Sequence, residues 1–431
     1  MKIAIFWFRR DLRLTDNKGL YFALRQGLPI LPLFIFDNHI VGSLPANDHR
    51  ISYIHRTLIE LDGALRATGS SLLLIKGKPL EVFQELVGSY SVEAVYSNAD
   101  HEPYGMERDK EVKKLLQAQG IRFEQQIDHL IFPPGELLNL SNQPYTVYTP
   151  YSKKWKTALT PNHLSHFPSE NHLNHLLMNS LPPIGPLEKW GFKPSAMEIP
   201  QSALSHEVIG NYNDRRDFPA LEGTTRIGLQ LRFGTLSIRQ VARQVQEINE
   251  TLLNELIWRE FYASVLYHFP RVVDQAFKKK YERINWLNNE QHFELWKSGQ
   301  TGYPMVDAGM RQLKATGWMH NRLRMIVASF FTKHLLIDWR WGEAWFAKML
   351  FDYELSSNNG GWQWCAGSGT DAAPYFRIFN PEAQQAKFDP GNAFVKKWIP
   401  ELGTAVYPRP VVEHSTARDR CLEAYKEAIQ G

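Results

Sequence analysis

A change of hydrophobic period part-way along the chain constrains its fold more than any other sequence feature. Over residues 2 to about 125, short apolar or β-branched runs alternate with amphipathic helical patterns. Residues 3–8, 28–36, 72–76, 94–97 and 122–125 read as strands, and residues 17–25, 48–68, 80–87 and 104–119 as helices. Asn17 and Asp48 stand ready as N-caps, and Gly27, Gly69 and Gly120 follow three of the four helices. Strand–helix alternation predicts a doubly wound parallel sheet, because parallel neighbours need a crossover that is usually helical. From about Ser202 strand signals largely vanish. Residues 237–249, 252–267, 291–298, 306–316, 320–334, 342–351 and 418–429 all carry helical spacing. Between these regions nine prolines fall from Pro133 to Pro186 and periodicity is lost. The expected layout is an α/β domain at 1–130, an inter-domain linker at 131–200 and an all-helical domain at 201–431. A length of 431 residues agrees with two domains.

Composition excludes several classes. No apolar run approaches the ~18 residues of a membrane helix, and MKIAIFWFRR has no signal-peptide cleavage pattern. Cys365 and Cys421 form no CxxC and no disulfide framework, so a soluble cytoplasmic protein, with no membrane partner, is expected. The net charge of +4 is mild, but residues 258–340 hold thirteen Lys or Arg against seven Asp or Glu. That local excess reads either as a solvated helical face or as a basic surface interleaved with Trp and Tyr, which single strands or flipped bases require. The turn after the first strand, FRRDLRLTDN, lacks the glycines of a pyrophosphate-binding loop. The first domain therefore carries no dinucleotide signature there.

Candidate chemistry concentrates at residues 351–381. This stretch holds Asp352, Glu354, an Asn-Asn-Gly-Gly run, Trp362, Trp364 and an Arg between aromatics. No regular period describes it, so an irregular, pocket-forming backbone is expected, too aromatic to be disordered. In NELIWREFY, the residues Glu255, Trp258, Arg259 and Tyr262 fall at i, i+3, i+4 and i+7 on one stripe. Asn321, Arg324 and Met325 share a stripe in GWMHNRLRM. Mixed acidic, basic, amide and aromatic faces suit the wall of a semi-polar pocket.

NELIWREFY, TGWMHNRLRM, NNGGWQW and TDAAPYFRIFNP, in this order, resemble the DNA photolyase/cryptochrome family. The likeness is strongest to microbial class I cyclobutane pyrimidine dimer (CPD) photolyases and runs from FRRDLRLTDN to about WIPEL. Gly367, Gly369 and Ala372 also spell G-x-G-x-x-A, but no strand precedes them and they read as a turn.

The resemblance implies FAD in the helical domain. Tyr212, Thr224, Thr225 and Arg226 match the segment that holds its phosphates and ribityl chain. Ile227, Gly228 and Leu229 replace the family's usual Leu-Ser-Pro, which removes a hydroxyl. Asp352 matches the carboxylate near the flavin ring, with Arg324 as its partner, and Asn358 the residue facing flavin N5. Glu354 stands where the family usually has Asp. Trp362, Trp339 and Trp286 match the chain that conducts an electron to the photoexcited flavin. Glu255, Trp258, Arg259, Asn321, Met325 and Trp364 match the dimer pocket, with Arg322 and Gln384 as DNA contacts beside it.

The implied activity is that of a deoxyribodipyrimidine photo-lyase: excited reduced FAD donates an electron to a flipped-out dimer, the cyclobutane ring splits and the electron returns. The implied partner is DNA containing pyrimidine dimers, with no obligate protein partner and a monomeric state. The (6-4) photolyases place a His pair near the lesion, whereas the corresponding helix here, GWMHNRLRM, carries Asn321 and Met325, which favours CPD repair. A cryptochrome shares fold and flavin, but many carry a long C-terminal tail, whereas about thirty residues follow WIPEL here. A nucleic-acid-binding flavoprotein without photochemistry leaves the tryptophan positions without purpose. For a second, antenna chromophore, Tyr104 and Gly105 replace the Asn-Glu of folate binders, which favours a deazaflavin or a second flavin over a folate and leaves an empty site open as well.

Overall fold

The computed structural model describes residues 1–430. Five strands, β1 (Lys2–Phe8), β2 (Ile30–Asp37), β3 (Leu73–Gly77), β4 (Ser91–Asn98) and β5 (Arg122–Gln126), form one sheet in the order β3-β2-β1-β4-β5. All neighbours are parallel, with Ile5 of β1 paired to Leu31 on one side and Val95 on the other. In β1, Ala4, Phe6 and Phe8 face one core while Ile3, Ile5 and Trp7 face another. Both faces are covered, which is why β1 reads as a continuous apolar run. Asn17 and Asp48 cap the helices Lys18–Leu24 and His49–Arg66 through their side chains, as their positions predict. Gly27, Gly69 and Gly120 take positive φ, closing the turns after three of the four predicted helices.

The chain forms two compact units. One comprises residues 1–136, 158–196 and 228–247, and the other residues 137–157, 197–227 and 248–431. The expected linker at 131–200 is therefore not one connection. Its later part is built into the sheet unit: Leu177 donates its amide to Ile30 O at 2.7 Å, and Leu176, Leu187 and Phe192 enter the sheet's core. Residues 228–247, expected in the helical domain, belong to the sheet unit as well. Arg239 is buried there and contacts Asp128 at 2.8 Å and Asp16 at 3.0 Å. Burial alone would raise the Asp128 carboxyl, but Arg13 and Arg239 hold it down at about 2.

The second unit is helical, as predicted. The helices that matter below are Glu250–His268, Asn321–Ser329, Trp339–Met349, Leu355–Ala366 and Pro381–Phe388. Leu355–Ala366 corrects the expectation of irregular backbone over 351–381. Its apolar period is masked because its buried side includes amides. Asn359 Nδ2 donates to Val272 O at 2.8 Å, and Gln363 Nε2 to the same carbonyl at 2.9 Å. Gly360 serves close approach here rather than a turn. A Cβ at this position would lie 2.2 Å from the Tyr262 ring, so only glycine lets the two helices meet.

Candidate active site

The helical unit encloses a cavity of about 370 Å³. Glu255, Trp258, Arg259 and Tyr262 line it from Glu250–His268, so the predicted stripe faces the cavity intact. Asn321, Arg324 and Met325 line it from Asn321–Ser329. Asp352 and Glu354 reach it from the segment before Leu355–Ala366, and Asn358, Trp362 and Trp364 from that helix. Residues more than a hundred positions apart thus share one wall.

Three ion pairs organise the charged groups. Arg324 Nη2 spans both oxygens of Asp352, at 2.8 and 3.1 Å, while its Nε donates to Met319 O at 2.9 Å. This is the pair the sequence predicts. Arg259 Nη2 meets Glu354 Oε1 at 2.8 Å, and Ser357 Oγ donates to Glu354 Oε2 at 3.2 Å. Arg259 was expected toward substrate and Glu354 toward cofactor, yet the longer Glu side chain joins them as one pair. Arg216 Nη1 donates to Glu255 Oε1 at 2.7 Å. Burial works against the Arg216 cation, but Glu255 beside it raises its pKa above the usual value.

Arg216 is a site residue the sequence reading passed over, although it lies in NYNDRRDFP. Nothing in its spacing points toward Glu255, thirty-nine positions away. Glu343 was also missed: it accepts from Asn358 Nδ2 at 2.8 Å, and burial raises its carboxyl. Its place between Trp341 and Trp345 masked it as a surface glutamate.

Other predicted residues lie outside the cavity lining. Tyr212 is buried at the start of the short helix Tyr212–Arg215. Thr225 is buried and its carbonyl accepts from Ala203 N at 2.8 Å, with Thr224 beside it. Arg226, expected as a phosphate ligand, pairs with Glu222 and lies 4.6 Å over the Trp318 ring. Arg322 pairs with Asp217 at 2.7 Å and stacks over Phe388 at 4.2 Å. Gln384 shares the Pro381–Phe388 helix with that ring, and its Oε1 is buried with no partner among the described residues. Trp339 is buried in one core with Trp362, which itself lines the cavity, and Trp286 packs half-buried against that core. Trp362 also meets Trp296 edge-on at 6.0 Å, a contact the sequence does not reveal.

His320 caps the Asn321–Ser329 helix, its Nδ1 accepting the Arg322 amide at 3.1 Å. Burial pushes this imidazole down from 6.5 to about 4, so it is neutral at pH 7 and the cap is intact. Between those values the unfolded chain binds the proton and the folded chain does not. Stability from this group is therefore complete above about pH 6.5 and is lost as the pH falls toward 4. His320→Asn keeps a capping oxygen and removes the titration. Urea unfolding across this range is expected to show the wild type losing about 2–3 kcal/mol more than the variant.

Two local features fit a planar cofactor. A Cβ built on Gly361, which lines the cavity, meets nothing within 4 Å, so this helix face stays open to a large group. Trp362 Nε1 is buried with no hydrogen-bond partner among the described residues. Residues 252–406 match the FAD binding domain of DNA photolyase, and residues 4–170 match the family described as DNA photolyase. The fold and site thus define a flavoprotein with an α/β sheet unit and a helical FAD-binding unit.

A deoxyribodipyrimidine photo-lyase from a Synechococcus species is 39% identical over 98% of this chain and 96% of its own length. A bacterial class III photolyase from Agrobacterium tumefaciens has a TM-score of 0.89 at 32% identity, covering 100% of this chain and 98% of that one. An archaeal photolyase from Sulfolobus tokodaii, solved with two FAD molecules, has a TM-score of 0.81 at 32% identity, covering 99% of this chain and 100% of that one. The chain belongs to the DNA photolyase family.

Proposed function

We propose that this protein is a deoxyribodipyrimidine photo-lyase that repairs cyclobutane pyrimidine dimers in DNA under light. One observation carries the reading: the flavin-side residues Asp352, Arg324 and Asn358 share a cavity with the dimer-side residues Glu255, Trp258 and Trp364. Bound reduced FAD supplies the photoexcited electron that splits the cyclobutane ring and takes it back, with no net redox change.

The chain's own residues do the rest. The Arg324–Asp352 pair would hold the polar edge of the flavin ring, and Asn358, whose Nδ2 donates to Glu343, would offer its amide oxygen toward flavin N5. Photolyases flip their target out of the duplex, and a dimer that stacks and pairs poorly is easier to extrude than a normal base pair. Trp258 and Trp364 present flat apolar faces to the extruded bases, because stacking on an indole is favourable for any base. Glu255, oriented by Arg216, accepts a hydrogen bond from an N–H of the dimer and fixes its orientation in the cavity. Asn321, Arg259 and Met325 contact its edges. Arg322 and Gln384 meet the strand at the rim, and Tyr212, Thr224, Thr225 and Arg226 would hold the cofactor's phosphates and ribityl chain. Trp362, Trp339 and Trp286 pass electrons inward, since indoles are readily oxidised yet pack like hydrophobes.

For the antenna, Tyr104 favours a flavin or deazaflavin over a folate. Its hydroxyl donates to Asp37 at 2.7 Å and its ring stacks on His39 at 4.0 Å, so no amide-like donor is presented there.

The test is direct. Reduced holoprotein mixed with ultraviolet-damaged DNA is expected to lose dimers in proportion to blue-light dose and to lose none in the dark. Bound FAD with light-independent dimer counts would instead leave a photoreceptor of the cryptochrome type.

A further inference from the structure

The helix Tyr148–Ala158 and the turn before it fall in the stretch that reads as linker, outside the stripes that line the cavity. Yet Tyr148 lies face to face with Trp258, ring centroids 3.7 Å apart and planes within 5°. Both rings are only half-buried, so the stack does not fill a core. Aromatic pairs in cores favour edge-on or offset geometry, which makes a near-parallel pair at a cavity rim informative.

Tyr148 is also held from two sides. Its hydroxyl donates to Asn254 O at 2.9 Å, one turn before Trp258 on the same helix. Its amide donates to Asp371 Oδ2 at 3.1 Å, in the loop that follows the helix carrying Trp364. Further along, Trp155 Nε1 donates to Glu260 at 2.7 Å and Lys156 meets Glu250 at 2.5 Å. The segment is thus clamped along Glu250–His268 at three points.

We propose that Tyr148 is a positioning residue that closes one face of Trp258 and presents the other to the extruded base, so that discrimination of damaged from undamaged DNA depends on it. An indole on a half-exposed helix face has several staggered rotamers, and a base stacks well on only one of them. Tyr148 selects that rotamer. Phe261, edge-on to Trp258 at 5.7 Å, and Tyr262, tilted against it at 5.5 Å, hold the ring's flanks, and Trp258 still lines the cavity. The inference rests on the reading of Trp258 as a base-stacking residue.

The experiment measures dark affinity of the holoprotein for an oligonucleotide carrying one thymine dimer and for the same oligonucleotide undamaged. Tyr148→Leu is expected to lower the damaged-to-undamaged affinity ratio about threefold to tenfold, with undamaged binding unchanged. Tyr148→Phe, which keeps the stack, is expected to recover most of that ratio. Asp371→Ala loosens the Tyr148 backbone and is expected to lower the ratio about threefold even where Tyr148→Leu folds poorly. A purely structural role would lower the melting temperature and leave the ratio alone. If Trp258→Ala lowers the ratio while Tyr148→Leu and Asp371→Ala do not, this proposal is overturned and the reading of Trp258 stands. If Trp258→Ala leaves the ratio unchanged, the reading of Trp258 fails and takes the proposal with it.

Discussion

Arg259→Leu is expected to lower the unfolding free energy by about 3–5 kcal/mol, the usual consequence of stripping one partner from a buried ion pair. The Arg259 side chain is 13% exposed and that of Glu354 7%, so the carboxylate left behind has little access to water. Ser357 Oγ is a neutral donor and does not replace a guanidinium. The double variant Arg259→Leu/Glu354→Leu is expected to recover most of the loss, because two well-packed apolar groups leave no charge stranded. Glu354 is the N-cap of Leu355–Ala366 but makes no side-chain cap bond, so the second substitution forfeits nothing there. Urea titrations of the three proteins decide the matter. A single variant within 1 kcal/mol of wild type would mean that water reaches Glu354 after all.

Glu255→Ala is expected to reduce dimers split per absorbed photon by about 10- to 100-fold, the range for losing a hydrogen bond from a charged group. The variant also removes the 2.7 Å partner of Arg216 and leaves it only the more distant Asp217 carboxylate, at 3.9 Å, among the described residues. Glu255→Gln separates the two effects. It keeps hydrogen-bonding capacity toward the dimer but not the charge that holds Arg216, and an intermediate yield is expected. Dimer counting at matched light dose is the measurement. Full repair by the alanine variant would remove Glu255 from the mechanism while leaving the family assignment untouched.

Much of the fold was legible because its signals are local. The five strands and the four helices predicted between residues 17 and 119 appear where hydrophobic period and capping residues place them, since Asn17 and Asp48 act within three residues of themselves. The stripe from Glu255 to Tyr262 was legible for the same reason: helical geometry alone sets which side chains share a face. Leu355–Ala366 was not legible. Its buried side carries Asn359 and Gln363, whose partners are carbonyls about ninety residues earlier, so its burial leaves no apolar period to read. The segment 131–200 misled in a related way. Its prolines are real, but leucines scattered among them dock onto a sheet whose edges the local sequence does not reveal.

By itself the sequence determined the class of each half, the residues on each helical stripe and, through motif resemblance, the family. Tertiary structure alone decided who pairs with whom. It joined Arg259 to Glu354, turned Arg216 toward Glu255 and laid Tyr148 against Trp258. Pairing across tens or hundreds of residues depends on how helices approach one another. At Gly360 that approach is set by a hydrogen atom in place of a methyl group, and what the missing methyl makes room for is visible only once Tyr262 stands beside it.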